Sequence, residues 1–344
     1  MIKMTSVYRW MLRKVKGTNK SRTKKMIEIM ALENKKPEWI IKLDLYKNVL
    51  TRGVGYTDYF RGNYFNLSKK EKDTFVTTKS FYRLLSYLND EKYEVVLNDK
   101  LIFNKVFEEY LKRDYLNLRT ASEEDFQRFL KGKTSFFAKD PTGYGGHGVE
   151  KILIKDYPSW QKLFQTLKEK KQFLVEEEIK QCKAINELNP HVVSSFRIVT
   201  LYKDGKAYII GNALRINQDA TNVIGCTNDL YFRLNEEGKI DSHVIDDYGT
   251  VYETHPLSGK RFDEVVVPGV KEAFLMCQEA ALRIPQIRYI GWDIAFTEKG
   301  PVMVEGNEYP GYGILQFYKL NDKKTGHLKD ISDVLKGEMK KIKL

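Results

Sequence analysis

Two carboxylates and an amide could bind a metal ion near residue 300 of the chain. The residues around them read as two short strands, 292–297 and 301–305, joined by a tight turn. Because side chains alternate along a strand, Asp293 and Glu305 can point to the same side from neighbouring strands, and Asn307 returns to that side. Mg²⁺ prefers such oxygen ligands, together with substrate phosphates. The pattern therefore predicts a magnesium site; a plain hairpin with polar ends is the alternative.

A glycine-rich segment after a lysine could bind the phosphates of such a substrate. An apolar run ends at Lys139, and four glycines follow within six residues: Gly143, Gly145, Gly146 and Gly148. Glycine lets backbone N–H groups approach an anion closely, and lysine supplies a point charge for phosphate. The sequence lacks the Gly-Lys-Ser/Thr of a P-loop, and the glycines lead into an apolar run rather than a helix. We expect a phosphate-binding hairpin, with a flexible turn as the alternative.

Two further predicted strands each carry an arginine. Residues 195–202 contain Arg197, and residues 207–216 contain Arg215. The planar guanidinium binds both oxygens of a phosphate or carboxylate, so both arginines are candidates for binding such an anion. A cation at the edge of a sheet is the alternative. Upstream, residues 173–179 read as a strand that leads into an acidic hinge.

The order of these features resembles that of the ATP-grasp superfamily: lysine, glycine-rich loop, acidic hinge, two arginine strands, then Asp and Glu-x-Asn. Within it the sequence is most similar to the sugar-transfer-associated group of bacterial surface-polysaccharide gene sets. The residues of this closer similarity are Asn189-Pro190, Asn222, Gly225, His255-Pro256, Gly259, Gly291-Trp292-Asp293, Gly300-Pro301, Glu305-Gly306-Asn307, Gly311 and Leu315-Gln316. The similarity covers roughly residues 95–320. Ser194-Ser195 and Cys226 depart from the group's pattern, and both departures concern recognition of the acceptor.

The resemblance implies an α+β ATP-grasp fold, in which two α+β lobes clasp ATP. We therefore expect a basic, mostly helical N-terminal region over residues 1–95 and a small lobe with the glycine-rich loop over 96–180. A large lobe with the arginines and magnesium ligands would follow over 181–320, and a charged tail over 321–344. Apolar spacing predicts helices at 79–88 and 270–283, the second ended by Pro285.

The resemblance also implies a role for each candidate residue. The implied ATP-binding residues are Lys100, Lys139, Gly143, Gly145, Gly146, Glu176, Glu178, Ile179 and Glu187; the implied catalytic residues are Arg197 and Arg215; the implied magnesium ligands are Asp293, Glu305 and Asn307. The lysines and glycines would hold the phosphates, and the hinge at 176–179 would offer backbone groups to adenine. Glu178 and Glu187 are alternative contacts for the ribose hydroxyls or the adenine amine. The arginines would neutralise the γ-phosphate and the charge developing on the acceptor.

The activity implied by the resemblance is that of an ATP- and Mg²⁺-dependent carboxylate–amine ligase that works through an acyl phosphate. Its partners would be small-molecule carboxylate and amine substrates, sugar- or lipid-linked, in capsule or O-antigen synthesis. Two alternatives stay open: a kinase on the same fold that phosphorylates a sugar or lipid-linked hydroxyl, and a non-catalytic nucleotide- or membrane-binding module. Phosphoryl transfer needs positioned cations rather than a covalent nucleophile, which fits the absence of a Ser-His-Asp or Cys-His set.

The composition indicates a cytoplasmic enzyme. The 344 residues are 42% hydrophobic and include no apolar run of 18 residues, so we expect no bilayer-spanning helix. The N-terminus lacks a signal-peptide core, and the three cysteines have no paired spacing that would indicate zinc.

Much of the net charge of +12 lies in the first 36 residues, where basic residues surround Tyr8, Trp10, Met11 and Leu12. Such a segment suits peripheral contact with an anionic membrane at its inner face, and a solvated helix packed on the core is the main alternative. Nucleic acid is the least favoured partner, because no helix-turn-helix, RNA-recognition or zinc-finger pattern accompanies the charge.

Overall fold

The computed structural model describes residues 20–143, 148–220, 228–321 and 324–342. The chain forms two compact units: Met1–Leu88 with Gly311–Leu344, and Asn89–Pro310. Among the described residues, no helix combines the length and the apolar character needed to cross a bilayer.

The described helices, in chain order, are α1 (Lys20–Asn34), α2 (Glu38–Arg52), α3 (Tyr56–Arg61), α4 (Lys69–Lys72), α5 (Thr78–Leu88), α6 (Val95–Asn98), α7 (Lys100–Val106), α8 (Glu108–Leu111), α9 (Glu123–Leu130), α10 (Trp160–Glu169), α11 (Lys183–Asn186), α12 (Val270–Arg283), α13 (Tyr312–Leu315), α14 (Tyr318–Asn321) and α15 (Leu328–Leu335). Short 3₁₀ helices lie at Tyr64–Asn66, Ile154–Asp156, Phe262–Glu264 and Lys336–Lys340. The strands are β1 (Tyr115–Asn117), β2 (Ser135–Lys139), β3 (Val149–Leu153), β4 (Leu174–Glu176), β5 (Ser195–Lys203), β6 (Lys206–Asn217), β7 (Asp229–Phe232), β8 (Tyr289–Thr297) and β9 (Gly300–Asn307).

The first unit is helical. Its α2 ends at Gly53, which has the left-handed φ of 66° that glycine adopts without strain. A Cβ at this position would also lie 2.4 Å from the Cβ of Lys79. Buried Asp58 in α3 accepts hydrogen bonds from Tyr312 at 2.6 Å and from Thr78 at 2.9 Å. These bonds connect α3 with α5 and α13, so residues from both ends of the chain form this unit.

The second unit contains two antiparallel sheets. The smaller sheet has the strand order β1-β4-β2-β3, and the larger has the order β7-β6-β5-β8-β9. Phe136, Ala138 and Val175 of the smaller sheet share a core with Phe126 of α9 and Leu163 of α10. Because side chains alternate, Lys139 lies on the opposite face of that sheet.

The larger sheet packs one face against α12. Phe196, Leu214, Trp292 and Ile294 belong to the same buried core as the inward residues of this helix. The helix runs from Val270 to Arg283, as the apolar spacing predicts. Strands β8 and β9 form the predicted hairpin, with a bulge at Asp293 and Ile294. The opposite face of the sheet carries the polar residues described below.

The expected fold class is confirmed: the chain is α+β, with a helical N-terminal region and two antiparallel sheets. The smaller sheet lies within residues 96–180 and the larger within 181–320. The strand expected over 173–179 is shorter in the structure. It ends at Glu176, and the backbone N–H of Glu177 still donates to the carbonyl of Asp114, just before β1, at 2.9 Å.

Candidate functional site

A row of charged side chains crosses one face of the larger sheet. Cross-strand pairing sets Arg197 opposite Asp293, and Asp293 opposite Glu305. Arg215 shares this face because it lies two residues after Ala213, the residue of β6 that pairs with Arg197. Asp229 on β7 joins the row through its pairing with β6. The charges are thus gathered on the face opposite the apolar core.

Arg197 and Asp293 form the centre of the row. The Nε–Oδ1 distance is 2.6 Å and the Nη2–Oδ2 distance is 2.9 Å, so both carboxylate oxygens are bound. Burial alone would raise the pKa of Asp293, but the guanidinium groups nearby lower it, and the carboxylate stays ionised. Nη1 of Arg197 donates to the carbonyl of Pro310 at 2.9 Å. A Cβ at Gly291 would lie 2.8 Å from Pro310 and 3.1 Å from Arg197, which explains the glycine in the Gly-Trp-Asp motif.

Glu305 and Asn307 lie beside Asp293, as the hairpin pattern predicts. Nδ2 of Asn307 is 3.4 Å from Oδ2 of Asp293 and 3.5 Å from Oε1 of Glu305. Burial and the neighbouring Asp293 carboxylate raise the pKa of Glu305, and Arg197 and Lys139 act in the opposite direction. Among the described residues, no guanidinium binds Glu305 as Arg197 binds Asp293.

These residues fit a divalent cation. The described parts of the chain contain no group of three or more His, Cys, Asp or Glu side chains that could hold a metal ion. The candidate ligands at this site are therefore the two carboxylates of Asp293 and Glu305 and the side-chain amide of Asn307. Arg197 balances the charge of Asp293, and a cation would relieve the further negative charge of Glu305 beside it. Few protein ligands leave positions for phosphate oxygens and water, as Mg²⁺ requires.

Arg215 is fixed by Asp229, with an Nη2–Oδ2 distance of 2.9 Å and an Nε–Oδ2 distance of 3.3 Å. Its cross-strand partner is Ser195, whose buried hydroxyl has no hydrogen-bond partner among the described residues. The hydroxyl of Ser194 is also buried and unpaired there. A buried polar group without a partner is costly, so Ser195 is a candidate contact for a substrate bound beside Arg215.

Lys139 belongs to a buried network on the smaller sheet. Its ammonium forms an ion pair with the carboxylate of Glu176. Oε1 of Glu176 also accepts hydrogen bonds from Arg113 at 2.8 Å and from Asn104 at 2.7 Å. Burial would raise the pKa of Glu176, but Arg113 and Lys139 lower it to about 2. Arg113 also donates to the carbonyl of Met303 at 2.6 Å, so the network reaches β9 of the larger sheet.

The side chain of Glu176 is thus engaged by Lys139, Arg113 and Asn104, and a contact of its backbone with adenine stays a prediction. Lys100, at the start of α7, donates from Nζ to the carbonyl of Gly143. Burial lowers the pKa of Lys100, and the carboxylate of Glu305 opposes this shift. The structure thus brings Lys100 together with the first glycine of the loop. Gly145 and Gly146 lie outside the described residues.

The remaining predicted ATP-binding residues have other contacts. Glu178 forms an ion pair with Lys151 on β3, which holds the hinge against the smaller sheet. Glu187 is paired with Lys260 at 2.8 Å, and none of its contacts in the described ranges is with another predicted site residue. Ile179 is half-buried in the segment after β4. Their roles in nucleotide binding stay predictions.

Three polar residues of these networks were missed by the sequence analysis: Asn104, Arg113 and Asp229. Asp229 could have been found, because it begins an apolar strand and would pair with a strand that carries Arg215. Asn104 and Arg113 had no such signal. Arg113 is 63 positions from its partner Glu176, and no periodic pattern relates the two.

Two residues of the family-like pattern hold the end of β6. Nδ2 of Asn189 donates to the carbonyls of Asn217 at 2.9 Å and Asp219 at 2.8 Å. Nε2 of His255 lies 2.9 Å from the carbonyl of Asn217, and burial lowers the pKa of this imidazole. Both motif residues therefore support the backbone that leads into 221–227. That segment contains the motif residues Asn222 and Gly225 and the departure at Cys226, and it lies outside the described residues.

Comparison with known families finds a match over the part of the sequence that contains the charged row. The model of the family described as sugar-transfer associated ATP-grasp matches residues 159–325. This segment includes the row of charge on the larger sheet and excludes Lys100, Lys139 and the glycine-rich loop. The resemblance to this ATP-grasp family is thereby confirmed over the matched segment. No curated protein matches the sequence.

Several solved structures are similar to the chain at low identity. The ATP-grasp ligase PsnB, complexed with a phosphomimetic variant of its minimal precursor, Mg and ADP, is 14% identical, with 74% of this chain and 62% of that chain covered and a TM-score of 0.43. D-alanine–D-alanine ligase from Bacillus anthracis is 13% identical, with coverages of 79% and 78% and a TM-score of 0.38. D-cycloserine synthetase DcsG is 9% identical, with coverages of 72% and 74% and a TM-score of 0.41. The chain thus spans less than two thirds of the length of PsnB, and these likenesses do not define its activity.

Proposed function

We propose that the protein is an ATP- and Mg²⁺-dependent ligase that joins a carboxylate to an amine through an acyl phosphate. The row of buried charge on the larger sheet carries this proposal, since Arg197 and Arg215 share one face with Asp293 and Glu305. Phosphoryl transfer between two anions requires such positioned positive charge and a site for a metal ion. The match to the ATP-grasp family supports the same class of reaction.

Lys139 and Lys100 would bind the phosphates of ATP in this scheme. Both ammonium groups are close enough to Glu305 to affect titration: Lys139 lowers the pKa of Glu305, and Glu305 raises that of Lys100. The two lysines therefore act on the same region as the carboxylate pair. Glu176 supports Lys139, and the carbonyl of Gly143 supports Lys100.

The first step joins the substrate carboxylate to the γ-phosphoryl group. A carboxylate oxygen attacks the γ-phosphorus, and the bond to the β,γ-bridging oxygen breaks, so ADP leaves with the electron pair. Arg197 and Arg215, fixed by Asp293 and Asp229, stabilise the charge on the phosphoryl oxygens. A bound Mg²⁺ would supply further neutralisation of the phosphates.

The second step forms the amide. The amine nitrogen attacks the carbonyl carbon of the acyl phosphate, and the C–O bond to phosphate breaks. The departing inorganic phosphate leaves with the electron pair and takes up the proton that the amine loses. The guanidinium groups stabilise the departing phosphate, so no side chain needs to form a covalent bond.

We extend the proposal to the substrate class. The family description points to sugar transfer, so a uronic acid or an amino sugar of a bacterial surface polysaccharide is the acceptor to test first. The unpaired hydroxyl of Ser195 beside Arg215 supports an acceptor that carries both an anionic and a hydroxyl group.

Isotope transfer tests the reaction directly. The protein is incubated with ATP, Mg²⁺, amines and carboxylic acids labelled with ¹⁸O in the carboxylate, and the released phosphate is analysed by mass spectrometry. An acyl phosphate predicts one ¹⁸O atom in the inorganic phosphate and an amide product. A stable phosphoester without free phosphate would instead identify a kinase and overturn the ligase proposal. The Glu305→Gln variant is the inactive control.

A further inference from the structure

The helix α2 exposes a continuous apolar stripe. Trp39, Leu43, Tyr46 and Leu50 are 61%, 61%, 52% and 85% exposed, respectively, and we call these four residues the outer stripe. Their spacing of four, three and four residues places them along one side of the helix, over about 17 Å. Large exposed apolar patches on a folded protein mark interaction surfaces.

The outer stripe is not the face by which α2 packs in its own unit. Ile41 and Leu45 are buried on the other side of the helix, together with Asn48. An amphipathic surface helix would have polar residues where the outer stripe lies. The helix is therefore apolar on two sides, of which the fold uses one.

The charge around the outer stripe is positive. Residues 1–52 contain fourteen Lys and Arg against four Asp and Glu, a net charge of +10 out of +12 for the whole chain. The side chains of Lys35, Lys36 and Lys47 are exposed and form no ion pair within the part of the chain that the structure describes. Lys47 lies four residues after Leu43 and three before Leu50, directly beside the stripe.

The acidic groups on α2 do not offset this charge at the surface. Glu38 is paired with Lys42 at 2.8 Å. Asp44 accepts hydrogen bonds from Tyr59 at 2.7 Å and from Asn48 at 3.0 Å, so its carboxylate is turned toward the fold. Unpaired positive charge thus borders the outer stripe.

We propose that the outer stripe of α2 docks the protein on an anionic lipid surface. Leucine, tryptophan and tyrosine beside lysines are the composition of a helix that lies in the membrane interface. The lysines would attract the anionic headgroups, and the apolar side chains would enter the boundary below them. This surface belongs to the helical unit, and the proposal does not depend on the ligase reaction.

The positive charge of this segment favours a lipid surface over a second copy of the chain as the partner of the outer stripe. Two copies that met through the outer stripe would bring two segments of net charge +10 together, and like charges repel. The stripe also covers only about two heptads, which is short for a stable pair of helices. An anionic membrane offers opposite charge and an apolar layer at the same time.

Vesicle binding of the full chain tests the proposal. We expect co-sedimentation with vesicles that contain phosphatidylglycerol, weaker binding at high salt, and little binding to phosphatidylcholine alone. The double variant Leu43→Ser/Leu50→Ser should lower the partition coefficient at least about tenfold, because two exposed leucines no longer enter the interface. Leu275→Ser/Leu282→Ser is the matched control: these leucines of α12 are 52% and 46% exposed at the same spacing of seven residues.

Four results would overturn the proposal. Full-length protein that stays in the supernatant with anionic vesicles at low salt excludes lipid docking. Equal loss of binding in the α12 control excludes a specific role for the outer stripe. Finally, a dimer in sedimentation velocity that Leu43→Ser/Leu50→Ser dissociates would identify a second copy as the occupant. If deletion of residues 1–19 raises acrylamide quenching of Trp39 and leaves vesicle binding unchanged, that segment covers the stripe and the proposal fails.

Discussion

Two regions of the molecule reverse the usual distribution of side chains, and they do so in opposite ways. On one face of the larger sheet, Arg197, Asp293 and Glu305 hold charge in a largely buried setting. On α2, Trp39 and Leu50 hold large apolar groups in solvent. Neither arrangement helps the fold, since buried charge and exposed apolar surface both have a free-energy cost. We infer that each region is shaped by what it binds.

The two regions also differ in how far their costly groups have partners within the fold. The charge of Asp293 is balanced by the bidentate contact with Arg197, and Glu176 is balanced by Arg113 and Lys139. In the part of the chain that the structure describes, no guanidinium binds Glu305 in this way, and burial beside Asp293 raises its pKa. The outer stripe of α2 is open to solvent throughout. Substitutions of Glu305 and of the outer stripe, which have no such balance, are therefore best suited to change function without lowering the free energy of unfolding.

The largest expected effect is at Glu305. Glu305→Gln removes a metal ligand and should lower turnover about 10³-fold, equivalent to about 4 kcal/mol of transition-state stabilisation. It also removes a carboxylate that is buried beside another carboxylate, so the free energy of unfolding should be unchanged or higher. Steady-state kinetics and urea unfolding of the same preparation measure both. Loss of activity together with loss of stability would mean that Glu305 has a structural role.

The next effect is at Arg113, where buried charge is fully paired. Arg113→Met leaves Glu176 without its closest guanidinium, and breaking a buried ion pair should cost about 3 kcal/mol of unfolding free energy. Arg128→Met is the matched control, because Arg128 pairs with Asp125 on the exposed side of α9, where ion pairs contribute little. Equal unfolding midpoints for the two variants would contradict the proposed network.

Glu176 should also make the stability depend on pH. The pKa of Glu176 is lowered to about 2 in the fold from an ordinary value of 4.5, so its ion pairs stabilise the protein fully above pH 4.5. This contribution is lost as pH falls from 4.5 toward 2, because the unfolded chain takes up the proton first. Urea unfolding between pH 5 and pH 3 should show a smaller decrease in Glu176→Gln than in the wild type. Parallel pH profiles would exclude an ionised Glu176.

A smaller effect is expected at Lys139. Lys139→Ala should raise the dissociation constant for ATP about tenfold or more, since a charge-assisted hydrogen bond contributes about 1.5–3 kcal/mol. Calorimetry measures this change. Lys170→Ala provides a control, because Lys170 follows α10 and is paired at the surface with Glu150 of β3. An unchanged affinity for ATP would mean that Lys139 serves only as the ion-pair partner of Glu176.

The smallest effect is at Ser195. Ser195→Ala removes a buried hydroxyl that has no partner in the described residues, so stability should stay within about 0.5 kcal/mol. If Ser195 contacts the acceptor, KM for that substrate should rise several-fold while the affinity for ATP stays the same. An unchanged KM would place the acceptor elsewhere.

The sequence predicts the larger sheet and its charged face well, because both follow from local periodicity. Alternation alone brings Asp293 and Glu305 to one side, and helical spacing alone defines Val270–Arg283. Family order then adds Arg197 and Arg215. The buried partner of Glu176 could not be predicted in this way, since Arg113 comes close to it only through the tertiary fold.

The outer stripe of α2 could not be predicted from the sequence, for a different reason. Apolar residues occur on both sides of this helix, so the sequence cannot tell which set packs in the core. Ile41 and Leu45 are buried, whereas Leu43 and Tyr46 are exposed, and only tertiary packing separates the two sets. The sequence analysis placed membrane contact in the basic N-terminus, and the structure adds an apolar surface on α2.

The central claim is that the charged face of the larger sheet binds a metal–nucleotide complex through Asp293, Glu305 and Asn307. The most direct test is calorimetry with a non-hydrolysable ATP analogue, with and without Mg²⁺, on the wild type and on Glu305→Gln. We predict that Mg²⁺ strengthens binding to the wild type at least about tenfold, since a charged metal ligand contributes on the scale of a charge-assisted bond. The variant should show little response to Mg²⁺. An equal response of both proteins to Mg²⁺, or no binding of the analogue to the wild type, would contradict the claim.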